Sequence, residues 1–146
     1  MSEEIIKAEG LTKVFNKHLT AVDHVSFGVK HGEIYGFLGP NGAGKTTTIN
    51  MLITLLKPTE GKASVLGFDI AEQHDDVRSV IGVVPQEYTA DEDLTGLENI
   101  LLCADLYGIP RKVAKERAID LLKLVELTDF KGKRVETYSG GMRRRL

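Results

Sequence analysis

The chain has a single cysteine, Cys103, among its 146 residues, which excludes an internal disulfide and suits a reducing compartment. Lying in a helical apolar stretch, it reads as a packing residue rather than a chemical one. An excess of positive charge is also lacking, since 19 Lys and Arg stand against 21 Asp and Glu for a formal net charge of −2. Without a basic footprint, no nucleic acid is expected as a partner. No apolar segment approaches the roughly 20 residues needed to span a bilayer, so a membrane would enter only through a partner. The first residues, Met1 to Lys7, have neither the basic flank nor the apolar core of a signal peptide. There is no internal repeat and no low-complexity tract. What remains is about one domain's length, enough to bury roughly 68 to 70% of its unfolded surface.

Against these absences stands one dense stretch: Gly39, Pro40, Asn41, Gly42, Ala43, Gly44, Lys45, Thr46, Thr47. It fits the spacing Gly, four residues, Gly-Lys-Thr at which a backbone loop wraps a chain of phosphates, provided a buried strand precedes it and a helix follows. Glu33 to Gly39 is nearly continuously apolar and predicts a strand covered on both faces of a parallel sheet. Ile49, Leu52, Ile53 and Leu56 fall at helical spacing and predict an apolar helix face, with Pro58 and Gly61 as its stop. The glycines let backbone N–H groups converge, and a helix opening near Lys45 adds roughly half a positive charge at its N-terminus. Lys45 is then placed to reach terminal phosphates and the Thr46 hydroxyl to ligate a bridging Mg²⁺, with Thr47 available to an inner phosphate. A Gly-rich turn that merely joins strand to helix has no need of this combination.

Around the loop, Ile5 to Phe15 and Ala21 to Lys30 read as strands with a turn at Asn16 to His18. In the second strand Val25, Phe27 and Val29 alternate with Ser26, Gly28 and Lys30. Phe15 has two readings, an ordinary core aromatic or a platform on which a base stacks. Lys62 to Gly67 predicts a short strand, Val77 to Val80 the last turn of a short helix, and Ile81 to Val84 another apolar strand ending at Pro85 and Gln86. Ligands of open α/β sheets sit beyond the carboxyl ends of strands, so Gln86 is either a plain loop residue or an amide facing a metal or water. From Tyr88 onward the composition turns helical. Thr95 to Glu98 fits a capping box opening a helix through Leu106, Gly108 to Pro110 breaks it, and a second helix runs from about Arg111 to Glu126, with Ala118, Leu121, Leu122 and Val125 on one face. The basic runs Lys131 to Arg134 and Arg143 to Arg145 read as solvated faces. Tyr138, Ser139, Gly140, Gly141 and Met142 form a second turn that opens a helix, weak as an anion site when taken alone.

Taken in order, Phe15, the Gly39 to Thr47 loop, Gln86 and the Tyr-Ser-Gly-Gly-Met stretch make the chain resemble the ATP-binding subunits of ATP-binding cassette (ABC) transporters over essentially its full length. Gly36 to Gly42, Ile81 to Gln86 and the Met-Arg-Arg-Arg-Leu ending look most like the daunorubicin-resistance, ABC-2 type exporter ATPases. The resemblance implies an α/β P-loop NTPase fold, with a mixed sheet and a helical subdomain, truncated at its C-terminus. Residues 1–87 would form the nucleotide-binding core and 88–146 the helical subdomain. Phe15 would stack on adenine, Lys45 and Thr46 would hold the phosphates and Mg²⁺ of ATP, and Gln86 would sense the metal and the transport subunit. Ser139, Gly140, Gly141 and Met142 would act in trans, closing over nucleotide held by a second ATP-binding subunit paired head to tail. Segment 87–107 would receive a transmembrane permease, placing the protein in the cytoplasm against the inner face of the membrane.

Two departures qualify the match. Tyr138 and Met142 replace the commoner Leu and Gln, and Met offers none of glutamine's hydrogen bonds. The family's next segment, an apolar strand ending in Asp-Glu and then a switch histidine, has no counterpart before Leu146. Without the glutamate that positions water, these residues are expected to bind nucleotide but to hydrolyse it negligibly. An unpaired sheet edge and self-association through it are expected for the same reason. Among other classes, soluble ABC ATPases of DNA repair or translation carry long insertions, zinc cysteines or fused cassettes that this chain lacks. A GTPase-like switch would need an Asn-Lys-x-Asp string, but Asn16 and Lys17 are followed by His18 and Leu19.

Overall fold

The computed structural model describes residues 4–16 and 18–146, which divide into two compact units, residues 1–83 and 84–146. In the first unit, β1 (Glu4–Phe15) and β2 (Leu19–Lys30) form a long antiparallel hairpin, paired from Glu4 opposite Lys30 to Phe15 opposite Leu19 with register shifts between Glu4 and Ile6, Ala8 and Leu11, Leu11 and Lys13, and Lys13 and Val14. Of the expected turn, Asn16 and His18 lie between them, with the His18 amide bonded to the Phe15 carbonyl at 3.2 Å, while Lys17 lies outside the described residues. β3 (Glu60–Val65) pairs antiparallel with the other side of β1, and the two-residue β4 (Phe68–Asp69) closes the order β2-β1-β3-β4. The helix α1 (Lys45–Leu52) and the helix α2 (His74–Val80) supply Met51 and Val77 to the core, where both are 0% exposed beside Leu11. Each such side chain contributes about 1.5 to 3 kcal/mol by leaving water.

The segment predicted as a buried strand at Glu33 to Gly39 is not one. Residues 33–40 are irregular, with Ile34 at 99% and Leu38 at 97% exposure. The same correction holds for Ile81 to Val84, where only Ile81 touches the core and Val84 is 96% exposed. An apolar run becomes a strand only through a paired neighbour, and no described strand lies against either segment. One face of the first segment is nevertheless held, because Tyr35 stacks on Phe27 of β2 at 5.3 Å while Phe37 meets Phe27 edge-on at 5.2 Å.

The loop's helix also differs from expectation. It ends at Leu52, well before Pro58, where Thr54 adopts a left-handed φ of 64° and the Arg78 guanidinium bonds its hydroxyl at 2.8 Å. The face that buries is Thr48, Met51 and Leu52, whereas Ile49 is 41% exposed.

In the second unit α3 (Gly96–Leu106) opens on the predicted capping box: Glu98 N–H donates to the Thr95 hydroxyl at 3.2 Å and Thr95 N–H to the Glu98 carboxylate at 2.8 Å. The reciprocal bonds hold the Glu98 carboxyl below the usual glutamate range, the Thr95 backbone contributing most. α4 (Arg111–Leu124) buries Ala114, Ala118 and Leu122, while Leu121, expected on that face, is 49% exposed. Leu122 joins Leu127, Val135 and Tyr138 in a second core. Cys103, expected to pack, is instead exposed. No helix among the described residues is long and apolar enough to cross a membrane.

Candidate functional site

The loop leaves residue 38 as an exposed turn and enters α1 through Gly44, whose φ of 82° makes a left-handed helix cap with no side-chain acceptor. A Cβ at Gly44 would run into the Ala21 carbonyl of β2, so only glycine brings the loop this close to the sheet. Within the loop the Ala43 amide bonds the Pro40 carbonyl at 3.2 Å. The Lys45 ammonium folds back over the loop's mouth and donates to the carbonyls of Gly39 and Pro40, both at 2.8 Å. Thr48 turns its hydroxyl inward to the Gly44 carbonyl at 2.9 Å, whereas Thr46 is exposed and Thr47 half-buried. An exposed loop with a cation at its mouth and a hydroxyl beside it at a helix start has the donor set that a phosphate chain with a bridging divalent ion requires.

Phe15 sits half-buried at the end of β1, opposite Leu19, with the Lys13 ammonium 5.3 Å from its ring centroid. It therefore has one face already visited by a cation and is not a core residue. Gln86 belongs to the second unit, where it lines a cavity of about 410 Å³ together with Tyr88, Cys103, Arg143 and Arg144. Phe15 and the loop thus lie in one unit, Gln86 and the 138–142 stretch in the other.

The second turn is built differently. Ser139 caps α5 (Gly140–Arg145), its hydroxyl accepting from the Met142 amide at 3.2 Å while its own O–H has no acceptor among the described residues. Ser139, Gly140 and Gly141 are exposed. Met142 points the other way and packs on the second core, which explains an apolar residue at this position. Tyr138 is 4% exposed and donates its hydroxyl to the Phe130 carbonyl at 2.7 Å, a bond a leucine could not make. Burial pushes that hydroxyl above the ordinary tyrosine range.

Sequence reasoning missed how this turn is held. Arg143, read as one of a solvated run, is 26% exposed and pairs with Glu92 of the segment before α3. Gly96 lies directly under the Tyr138 hydroxyl, so that a Cβ there would collide with it. Both contacts join residues more than forty positions apart, and local spacing carries no signal for them.

The ABC transporter family profile matches residues 22–146, and the chain belongs to that family. It is 48% identical over 141 residues to the daunorubicin/doxorubicin resistance ATP-binding protein DrrA of Streptomyces peucetius, covering 97% of this chain and 42% of that protein. It is 40% identical over 142 residues to the linearmycin resistance ATP-binding protein LnrL of Bacillus subtilis, covering 97% of this chain and 45% of the relative. The chain therefore spans less than half the length of these relatives. Among solved structures, an ATP-binding subunit of an ABC transporter superposes with a TM-score of 0.81 at 28% identity, covering 97% of this chain and 58% of that one. The α/β P-loop NTPase fold expected from the motifs is thereby established, and the resemblance to drug-resistance ATPases stands.

Proposed function

We propose that the chain is the Mg-ATP-binding part of an ABC exporter's ATP-binding subunit, whose complete form hydrolyses ATP to drive export. The observation that carries this reading is the exposed Gly39 to Thr47 loop with the Lys45 ammonium at its mouth. On nucleotide binding the ammonium exchanges the carbonyls of Gly39 and Pro40 for phosphate oxygens, Thr46 offers its hydroxyl to Mg²⁺, and Phe15 stacks on adenine. Bound Mg²⁺ supplies charge neutralisation between phosphates. Residues 1–87 make this site, and 88–146 make a helical subdomain that presents Ser139, Gly140 and Gly141 to the nucleotide of a second subunit. Gln86, in the segment leading to that subdomain, responds to the metal and to a transmembrane permease. Met142 belongs to the same stretch and supports it from the subunit's own core. The protein works in the cytoplasm, at the inner face of the membrane, through that permease.

The test is a calorimetric titration of Mg-ATP into the chain, beside Lys45→Ala and a GTP control. Saturable ATP binding is expected, weakened roughly a hundredfold in the variant, the scale of losing charge-assisted bonds to phosphate. GTP binding tighter than ATP binding, or ATP binding indifferent to Lys45, would overturn the proposal.

A further inference from the structure

The turn that carries Ser139, Gly140 and Gly141 is gripped by a guanidinium. Arg143 uses all three of its nitrogens: Nε donates to the Tyr138 carbonyl at 3.2 Å, Nη2 to the Glu136 carbonyl at 2.8 Å, and Nη1 pairs with the Glu92 carboxylate. The carbonyls belong to the residues that lead into the turn, and the carboxylate to a different segment. That segment is itself fixed. The Glu92 carbonyl accepts from Glu136 N–H at 3.0 Å and the Leu94 carbonyl from Val135 N–H at 2.9 Å. Asp91, next in the chain, is held through both backbone groups by Asn99 of α3, which is 8% exposed: its N–H donates to Asn99 Oδ1 at 2.7 Å and its carbonyl accepts from Asn99 Nδ2 at 2.9 Å. A continuous set of bonds thus runs from α3 through residues 91–92 and Arg143 to the backbone immediately before Ser139.

The neighbouring arginines do not share this task. Arg144 is exposed, and Arg145 pairs with Glu126 at 3.3 Å. A lysine at 143 would keep the charge, but a single ammonium cannot span two carbonyls and a carboxylate as a planar fork does.

We propose that Arg143 is the positioning residue of this turn: its fork sets the direction in which Ser139, Gly140 and Gly141 face by tying the turn to α3. The inference rests on the reading of that turn as the part that closes over a second copy's nucleotide, and it names the side chain on which the closure depends.

Amide hydrogen exchange on the unliganded chain tests the positioning directly. In Arg143→Lys the hydrogen-bonded amides of Glu136, Tyr138 and Met142 exchange roughly tenfold faster, the scale of one lost charge-assisted hydrogen bond, while those of Ala118 and Leu122 in α4 keep their protection. Glu92→Gln, which retains the fork's two carbonyl bonds, gives a smaller rise, about threefold. Unchanged exchange at the turn overturns the proposal, and so does an equal rise at Leu122, which would make Arg143 a general stabiliser. Sedimentation with Mg-ATP supplies the second readout: in Arg143→Lys the ATP-dependent association of two copies weakens roughly tenfold, while half-saturation with Mg-ATP, measured at concentrations where the chain stays monomeric, stays where it was. Association as strong as in the unaltered chain overturns the link to closure. Binding of ATP that survives Lys45→Ala would instead remove the phosphate-loop reading and leave the exchange result standing.

Discussion

Two glycine-bearing turns open helices in this molecule, and they are built on opposite plans. The first, at Gly39 to Thr47, enters α1 through a glycine cap with no side-chain acceptor, and its cross-loop side-chain tie is the Lys45 ammonium on two of its own carbonyls. The second, at Tyr138 to Met142, is capped by Ser139, anchored below by Tyr138 and Met142, and gripped from the side by Arg143. A helix start without a capping side chain leaves its N–H groups to an incoming anion. A helix start already capped and clamped has a fixed shape to present. On the proposed reading the first turn receives charge and the second is received.

The contrast breaks most readily at Gly44. Gly44→Val forces a β-branched residue to a φ of 82° against the Ala21 carbonyl, and should destabilise the first unit by about 3 kcal/mol or more with loss of Mg-ATP binding, read by urea unfolding and titration. Next comes Gly96→Ala, where the added methyl meets a buried and hydrogen-bonded Tyr138 that cannot swing aside. A loss of about 1 to 3 kcal/mol is expected, read by urea unfolding. The smallest effect lies at the capping box of α3, where Thr95→Ala should cost about 1 kcal/mol in the same unfolding assay. That contribution has a definite pH dependence. The Glu98 carboxyl is held below its usual range in the folded chain, so its share of stability is complete above the ordinary glutamate pKa of about 4.3 and is lost as pH falls through the lower folded value. Glu98→Gln, which removes the titrating carboxyl, should flatten this acid limb of the stability profile, and an unaltered limb would count against the capping box as its source.

How much of this was legible beforehand depended on whether the cause was local. The capping box at Thr95 and Glu98, the β1–β2 hairpin and the loop itself were readable because each is fixed by residues a few positions apart. The segments at 33–39 and 81–84 misled, because an apolar run records a preference for burial and says nothing of the neighbour that would provide it. Cys103 and Leu121 were assigned inward by helical spacing yet face outward, since period alone does not set where an apolar stripe begins. Arg143 was hidden inside a run of three arginines whose differences arise only from what lies across the fold.

The aromatic contacts around Phe27 carry a consequence for temperature. The approach to the phosphate loop is fastened by the rings of Tyr35 and Phe37 rather than by a ladder of backbone bonds. Ring contacts of this kind let go singly, whereas the antiparallel sheet beside them melts as one cooperative body. On warming, the loop's footing should therefore loosen ahead of its scaffold, and affinity for nucleotide should fade while the circular dichroism of the sheet is still that of the native chain.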